Sequence, residues 1–170
     1  SFGLLYLDNV PAEQGQTVMQ LEARQWRKSD RHIYFRTAAD SIPQNHDLSY
    51  TFHPVGITLY RVGHVQINNL TVQGFQIDGV NAHEEVSRTI LSSLICRGNG
   101  RSGISVRGAS RVDLVACLIG NNGTAQLRTE AVARVTLRNC DLIANTAPAI
   151  VNDGGQVESM DASNPQAALR

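Results

Sequence analysis

The sequence predicts an all-β fold, a right-handed parallel β-helix solenoid of about five coils with about 23 residues in each coil. Two observations carry this prediction. Short apolar segments recur at steps of 23 or 24 residues between residues 55 and 158, and within each segment apolar residues alternate with other residues. Because side chains on a strand point to opposite faces in turn, this alternation is typical of half-buried strands.

Each repeat contains three such strands. The first strand covers residues 56–59, 79–82, 103–106, 126–129 and 149–152; the second covers 65–67, 89–91, 112–114 and 135–137; the third covers 70–72, 94–96, 117–119 and 140–142. No helical pattern separates the strands, which excludes βαβ units, and a propeller blade would need about 40 residues. The pattern predicts a triangular coil whose strands pair in parallel with their copies one repeat later.

Polar residues mark the corners of the predicted coils. Asn and Ser dominate the corner between the second and third strands, and Asn tolerates the left-handed backbone conformation that a tight corner needs. After the third strand a further series recurs every 23 residues, formed by Asn99, Asn122 and Asn145. We expect these asparagines to stack and to satisfy backbone polar groups at the bend.

The three cysteines fall on predicted core positions. Cys117 and Cys140 share an inward column with Leu70 and Leu94, and Cys96 occupies the neighbouring inward column of the third strand. A buried free cysteine behaves as a small hydrophobic residue, so the pattern favours core packing over metal or redox chemistry.

The repeat divides the chain into three parts. Residues 1–54 do not follow it and are predicted to form an N-terminal capping and β segment, with a strand pair at 17–26 and 32–36. Residues 55–158 form the coils, and residues 159–170 form a polar C-terminal tail. Because about five coils make a short solenoid, a further chain segment or a partner is expected to cover an exposed coil end.

Composition excludes some classes of function. Lys plus Arg and Asp plus Glu both number 15, so the net charge is zero, and no basic stripe is apparent that would indicate nucleic-acid binding. No apolar run approaches 18 residues, so no membrane span is predicted.

Two outward columns on the first strand concentrate ionisable groups. If Ile104, Val106 and their equivalents point inward, the residues between and after them point to solvent. One outward column then contains Thr58, Asn81, Ser105, Arg128 and Val151, and the next contains Tyr60, His83, Arg107, Glu130 and Asp153. Neighbours in a column should lie about 4.8 Å apart. A solvated face with surface ion pairs is the alternative interpretation of both columns.

Together, the Gly-Ile-Ser-Val strand at 103–106, the Val-Asp-Leu strand at 112–114 and the Asn-containing turns resemble the pectate-lyase-like superfamily of right-handed parallel β-helices. The resemblance covers residues 55–158 and implies the fold, a polysaccharide or oligosaccharide partner and an extracellular or cell-envelope location. In lyases of this fold the first strand lines the substrate groove. The fold also serves lyases, hydrolases and adhesins, so it does not identify the activity.

Several roles follow from this resemblance. In a lyase, Arg107 or Arg128 would bind the uronate carboxylate and His83 would act as base, with Glu130 completing the catalytic face. Asn81, Ser105, Tyr60 and Asp153 are the candidate substrate-binding residues. A glycosidase would instead use Glu130 and Asp153 as paired carboxylates.

Other interpretations remain open beside these. No cofactor or metal is expected; Asp78, Glu84 and Glu85 at the edge of the face suit Ca²⁺ chemically but lack a specific ligand spacing. A non-catalytic glycan-binding or structural module is the alternative to an enzyme.

Overall fold

The computed structural model describes residues 4–160, and the chain divides into two compact units, residues 3–52 and the part from His53 onward. The second unit is a right-handed parallel β-helix of about five coils, so the predicted fold class is confirmed. The predicted boundary between residues 54 and 55 lies close to the division between the units.

The N-terminal unit contains six short strands and two 3₁₀ helices. The strands are β1 (Leu5–Leu7), β2 (Val10–Pro11), β3 (Glu13–Gln14), β4 (Gln25–Ser29), β5 (His32–Phe35) and β6 (Leu48–Tyr50), and the 3₁₀ helices are Val18–Gln20 and Pro43–Asn45. The predicted strand at 17–26 is wrong over most of its length, because Val18–Gln20 is helical and β4 begins only at Gln25. Trp26 is buried and donates from Nε1 to the carbonyl of Ala12 at 3.1 Å.

Three parallel sheets form the sides of the β-helix. Sheet 1 contains β7 (Val55–Tyr60), β10 (Asp78–His83), β13 (Ser102–Val106), β16 (Ala125–Glu130) and β19 (Ile150–Asp153). Sheet 2 contains β8 (Gln66–Asn68), β11 (Thr89–Ser92), β14 (Arg111–Val115), β17 (Arg134–Arg138) and β20 (Gln156–Ser159). Sheet 3 contains β9 (Thr71–Gln73), β12 (Ile95–Arg97), β15 (Leu118–Gly120) and β18 (Asp141–Leu142). Every strand pairs with its copy from the next coil, as the repeat predicts.

The C-terminal end of the solenoid differs slightly from the expected boundary. Ser159 belongs to β20, and the amide of Met160 donates to the carbonyl of Leu137 at 2.9 Å. The rest of the predicted polar tail, residues 161–170, lies outside the described residues.

Aliphatic side chains and cysteines fill the interior of the solenoid. Cys96, Cys117 and Cys140 are buried free thiols, which confirms the predicted core positions. Burial raises the pKa of the Cys96 thiol to about 12, so this thiol stays protonated and unreactive. Leu70 is the exception in its column: it is 47% exposed because it precedes β9, the edge strand of sheet 3, and is covered by a coil on one side only.

The corner between sheets 2 and 3 is left-handed in all four coils where both strands are formed. The residues in this conformation are Asn69, Ser93, Ala116 and Asn139, with φ between 51° and 56°. The amide of Ser93 donates to the carbonyl of Val115 at 2.9 Å, so the corners are bonded from coil to coil. Asn and Ser at this corner therefore have the backbone role that the sequence predicts.

A buried asparagine ladder connects the coils at the corner between sheets 3 and 1. Asn99 donates from Nδ2 to Oδ1 of Asn122 at 3.0 Å, and Asn122 donates from Nδ2 to Oε1 of Gln126 at 2.8 Å. Asn145 does not join this ladder. It is exposed and donates instead to Oδ1 of Asn121 at 2.7 Å, so Gln126 holds the third position that was predicted for Asn145.

We predict that Asn122→Ala lowers the free energy of unfolding by about 3 kcal/mol. The substitution deprives the buried carbonyls of Cys96 and Gly120 of a donor and the amide of Asn99 of its acceptor, and each such loss costs about 1–3 kcal/mol. Urea unfolding followed by circular dichroism measures the difference. Asn145→Ala is the matched control, expected to change stability by about 0.5 kcal/mol because Asn145 is exposed. Equal losses in the two variants would contradict the ladder's role.

Candidate functional site

Strand register places the predicted site residues on the outer face of sheet 1. Asn81 pairs with Ser105, and Ser105 pairs with Arg128. His83 pairs with Tyr60, and Glu130 pairs with Asp153. Arg107 directly follows Val106, the partner of Ala82, and therefore stands between His83 and Glu130 in the same column. The two predicted columns are thus adjacent, and each runs along the solenoid axis.

Four of the predicted residues line one shallow pocket of about 520 Å³. They are Arg107, Arg128, Glu130 and Asp153, and the pocket also contacts the turn residues Glu84, Gly108 and Ala131. The turns on this side are short, so the pocket is a depression on a sheet face without high walls.

Arg128 connects the two carboxylates of the pocket. Its Nε donates to Oε1 of Glu130 at 2.8 Å, and its Nη2 donates to Oδ2 of Asp153. The hydrogen bond from Arg128 holds the pKa of Glu130 below its usual value, and the positive charges of Arg101 and Arg107 act in the same direction against the opposing effect of burial. The Glu130 carboxylate is therefore held as an anion by the neighbouring cation.

Arg107 is more open to a ligand than Arg128. Its side chain is 50% exposed, whereas that of Arg128 is 25% exposed. Its nearest carboxylate oxygen is Oε2 of Glu130 at 4.0 Å, at the limit of an ion pair. A guanidinium in this position keeps donors available for a second, bidentate acceptor.

His83 lies beside an aromatic ring. The ring centroids of His83 and Tyr60 are 4.9 Å apart at an angle of 51°, and the guanidinium of Arg61 lies 5.2 Å from the Tyr60 centroid. Tyr60 is 48% exposed, so part of its ring faces solvent. Arg61 is a site residue that the sequence analysis missed, because it follows the strand and the strand alternation does not assign it to a face.

Asn81 and Ser105 were predicted to face solvent, but Ser105 and the side-chain oxygen of Asn81 are buried. Ser105 is fully buried, and both its hydroxyl and Oδ1 of Asn81 are buried atoms without a hydrogen-bond partner in the described part of the chain. Nδ2 of Asn81 donates to Oδ2 of Asp78 at 3.0 Å, which fixes the orientation of the amide. In its column Ser105 lies between Asn81 and Arg128, whose side chains are longer than its own.

Asp78 is a buried ion-pair partner and does not lie free at the edge of the face. Arg101 donates to it from Nε at 3.0 Å and from Nη2 at 2.5 Å, and this interaction raises the pKa of Arg101. Together with Asn81, this engages both carboxylate oxygens, so Asp78 is not a suitable Ca²⁺ ligand in this arrangement. Within residues 4–160 no group of three or more His, Cys, Asp or Glu side chains is arranged to hold a metal ion.

A third outward column, on sheet 2, contains three arginines that the sequence analysis did not group. Arg111 pairs with Arg134, and Arg88 precedes Thr89, the partner of Val112, so the three arginines are in register. The signal was present in the sequence as a spacing of 23 residues. It was missed because the three arginines are separated by apolar strands and the net charge is zero.

We predict that Arg128→Gln raises the pKa of Glu130, which in the wild-type protein is depressed chiefly by the hydrogen bond from Arg128. A carboxyl group with a depressed pKa stabilises the fold above its unfolded pKa, and this contribution is lost as pH falls through its folded pKa. Side-chain carboxyl carbon shifts in an NMR titration measure the change. Arg97→Gln on sheet 3 is the control and should leave the Glu130 titration unchanged, because Arg97 bonds Gln73. An unchanged Glu130 titration in Arg128→Gln would contradict the assigned cause.

We also predict that Ser105→Ala leaves the free energy of unfolding unchanged or raises it, because the substitution removes a buried hydroxyl without a partner. Ser110→Ala is the matched comparison. The Ser110 hydroxyl is also buried, but it donates to the carbonyl of Glu84 and accepts from the amide of Val86 at 3.2 Å. Its loss should cost about 1–3 kcal/mol in the same urea unfolding measurement. Comparable losses in the two variants would show that Ser105 has a partner.

One family model, described as the right handed beta helix region, matches residues 33–166. Comparisons with curated proteins and with solved structures give no match. No helix among residues 4–160 is long and apolar enough to cross a membrane. The match covers well over half of the chain and includes every strand of the three parallel sheets. The repeat, the sheet register and the family model agree, and the chain belongs to the right-handed β-helix family.

Proposed function

We propose that this β-helix acts on an acidic glycan as a polysaccharide lyase at the outer face of sheet 1. The observation that carries the proposal is the order of one column: an exposed aromatic ring, an imidazole in contact with it, and a half-exposed guanidinium on the next strand. These are Tyr60, His83 and Arg107. An aromatic platform, a base and a carboxylate-binding group are the parts that cleavage of a uronate by elimination requires.

The chemistry assigns one role to each group. Arg107 would bind the uronate carboxylate bidentately and stabilise the negative charge that develops when the neighbouring carbon loses its proton. His83 would take that proton through its imidazole, the side chain that most often acts as a general base. The electron pair forms the carbon–carbon double bond, the glycosidic carbon–oxygen bond breaks, and the departing oxygen takes a proton from water.

Hydrolysis by the Glu130 and Asp153 pair is less well supported. A glycosidase needs one carboxyl group with a raised pKa as general acid. Here both carboxylates bind Arg128, and the pKa of Glu130 is lowered. This is opposite to the environment of a general acid.

The second candidate function is a non-catalytic glycan-binding module. Two observations favour it: the turns beside the pocket are short and build no groove walls, and Arg128 is already neutralised by two carboxylates. In this case Arg107 and Tyr60 would bind a glycan chain without turnover. Both candidates are consistent with a glycan of the extracellular space or the cell envelope as partner.

We predict that the protein releases unsaturated uronate products, detected by ultraviolet absorbance, from at least one member of a panel of uronate-containing polysaccharides. His83→Ala and Arg107→Gln should each lower kcat/KM by about 100-fold or more, the range expected for loss of a general base or a charge-stabilising donor. His32→Ala is the control and should leave activity unchanged, because His32 is an exposed residue of β5 in the other unit.

Three outcomes separate the candidates. Elimination that both variants abolish supports the lyase. Glycan binding by the folded wild-type protein without product supports the binding module. Elimination that persists in His83→Ala and Arg107→Gln would contradict the assigned site.

A further inference from the structure

The arginine column of sheet 2 lies on a different face from the site described above. Arg111 and Arg134 are partners in neighbouring strands, and Arg88 lies one coil earlier in the same series. All three side chains are exposed. Parallel strands are about 4.8 Å apart, so the column presents one cation per coil along the solenoid axis.

No carboxylate neutralises these cations. Within residues 4–160, no Asp or Glu oxygen lies within 4.0 Å of a nitrogen of Arg88, Arg111 or Arg134. The guanidinium of Arg88 instead contacts Nε2 of His64 at 2.8 Å. Like charges directly opposite each other on paired strands are destabilising. An anionic ligand with repeated charges would relieve this repulsion, whereas on sheet 1 Glu130 and Asp153 already neutralise Arg128.

The column lines a groove of about 300 Å³. Besides the arginines, its lining includes the polar side chains of Asp113, Thr136, Gln156 and Glu158, so the groove contains three cations and two carboxylates. These groups are suited to bonding sugar hydroxyls. No aromatic residue lines this groove, and binding of single-stranded nucleic acid depends on stacking of bases on aromatic rings.

We propose that the outer face of sheet 2 binds an acidic polysaccharide chain, with Arg88, Arg111 and Arg134 pairing with successive carboxylate or sulfate groups along the solenoid axis. This strip is separate from the proposed catalytic face, and the inference stands without catalysis there. In a lyase it would hold a neighbouring stretch of polymer. In a non-catalytic module it would be a second contact with the same class of glycan.

The test measures binding of polygalacturonate oligosaccharides and of heparin oligosaccharides by isothermal titration calorimetry over a series of salt concentrations. The first probe carries carboxylates and the second mainly sulfates, so the two distinguish the sources of charge. The double variant Arg111→Gln/Arg134→Gln should weaken binding of the preferred probe about tenfold or more, because two charge-assisted contacts are lost. The dependence of the binding constant on salt should become shallower, as fewer ion pairs form.

Two further variants make the result specific. Arg97→Gln removes an exposed arginine from sheet 3 and should leave affinity within about twofold. The double variant Arg111→Lys/Arg134→Lys keeps the charge but not the planar fork, and should retain part of the affinity. Circular dichroism confirms that each variant is folded, which is expected because all the changed residues are exposed.

The outcomes separate this inference from the proposed catalytic function. Loss of affinity in the glutamine double variant with binding intact in Arg97→Gln supports the sheet 2 strip. Three results would overturn it: wild-type binding of neither probe at low salt, equal affinity of wild type and the double variant, or tighter binding of single-stranded DNA than of either glycan. Failure of the lyase assay bears on sheet 1 alone, because affinity for the strip on sheet 2 is measured directly.

Discussion

Parallel pairing of each strand with its copy in the next coil is the constraint on which the structure depends. The pairing joins Val112 to Val135 and Leu114 to Leu137, so inward residues remain inward from coil to coil. A register shift of one residue would move every side chain of a strand to the opposite face. The buried asparagine ladder acts on this same constraint, because the bond from Asn99 to Asn122 spans one coil step.

The same constraint creates the functional surfaces. Once the backbone repeats at a fixed spacing, residues 23 or 24 positions apart become neighbours, and ionisable groups that are distant in sequence form columns. Sheet 1 contains cations and anions in these columns, so Arg128 is held between Glu130 and Asp153 while Arg107 stays half exposed. Sheet 2 contains a column of three arginines that form no ion pair within the described residues. The chemistry of each face therefore depends on which residues share a register position.

The fold could be predicted from sequence because the alternation and the repeat are both local patterns. The sequence also identified the columns of sheet 1, since a column follows from register alone. The sequence did not predict that Ser105 is buried or that Arg101 forms an ion pair with Asp78, because those contacts depend on side-chain packing between coils. Asn145 shows the same limit: it matches the spacing of the ladder, but Gln126 reaches the buried position instead. The N-terminal unit was harder to predict, since its short strands do not repeat.

Net charge conceals this arrangement. Equal numbers of acidic and basic residues make the chain neutral as a whole, and composition alone therefore indicates no charged partner. In a solenoid, however, the relevant quantity is the charge of each column, because a ligand that runs along the axis contacts one column over several coils. The three arginines of sheet 2 form no ion pair within the described residues, whereas Arg128 of sheet 1 shares its charge with carboxylates of the same face. The binding that we propose for sheet 2 therefore depends on the charge at one repeat position and not on the charge of the whole chain.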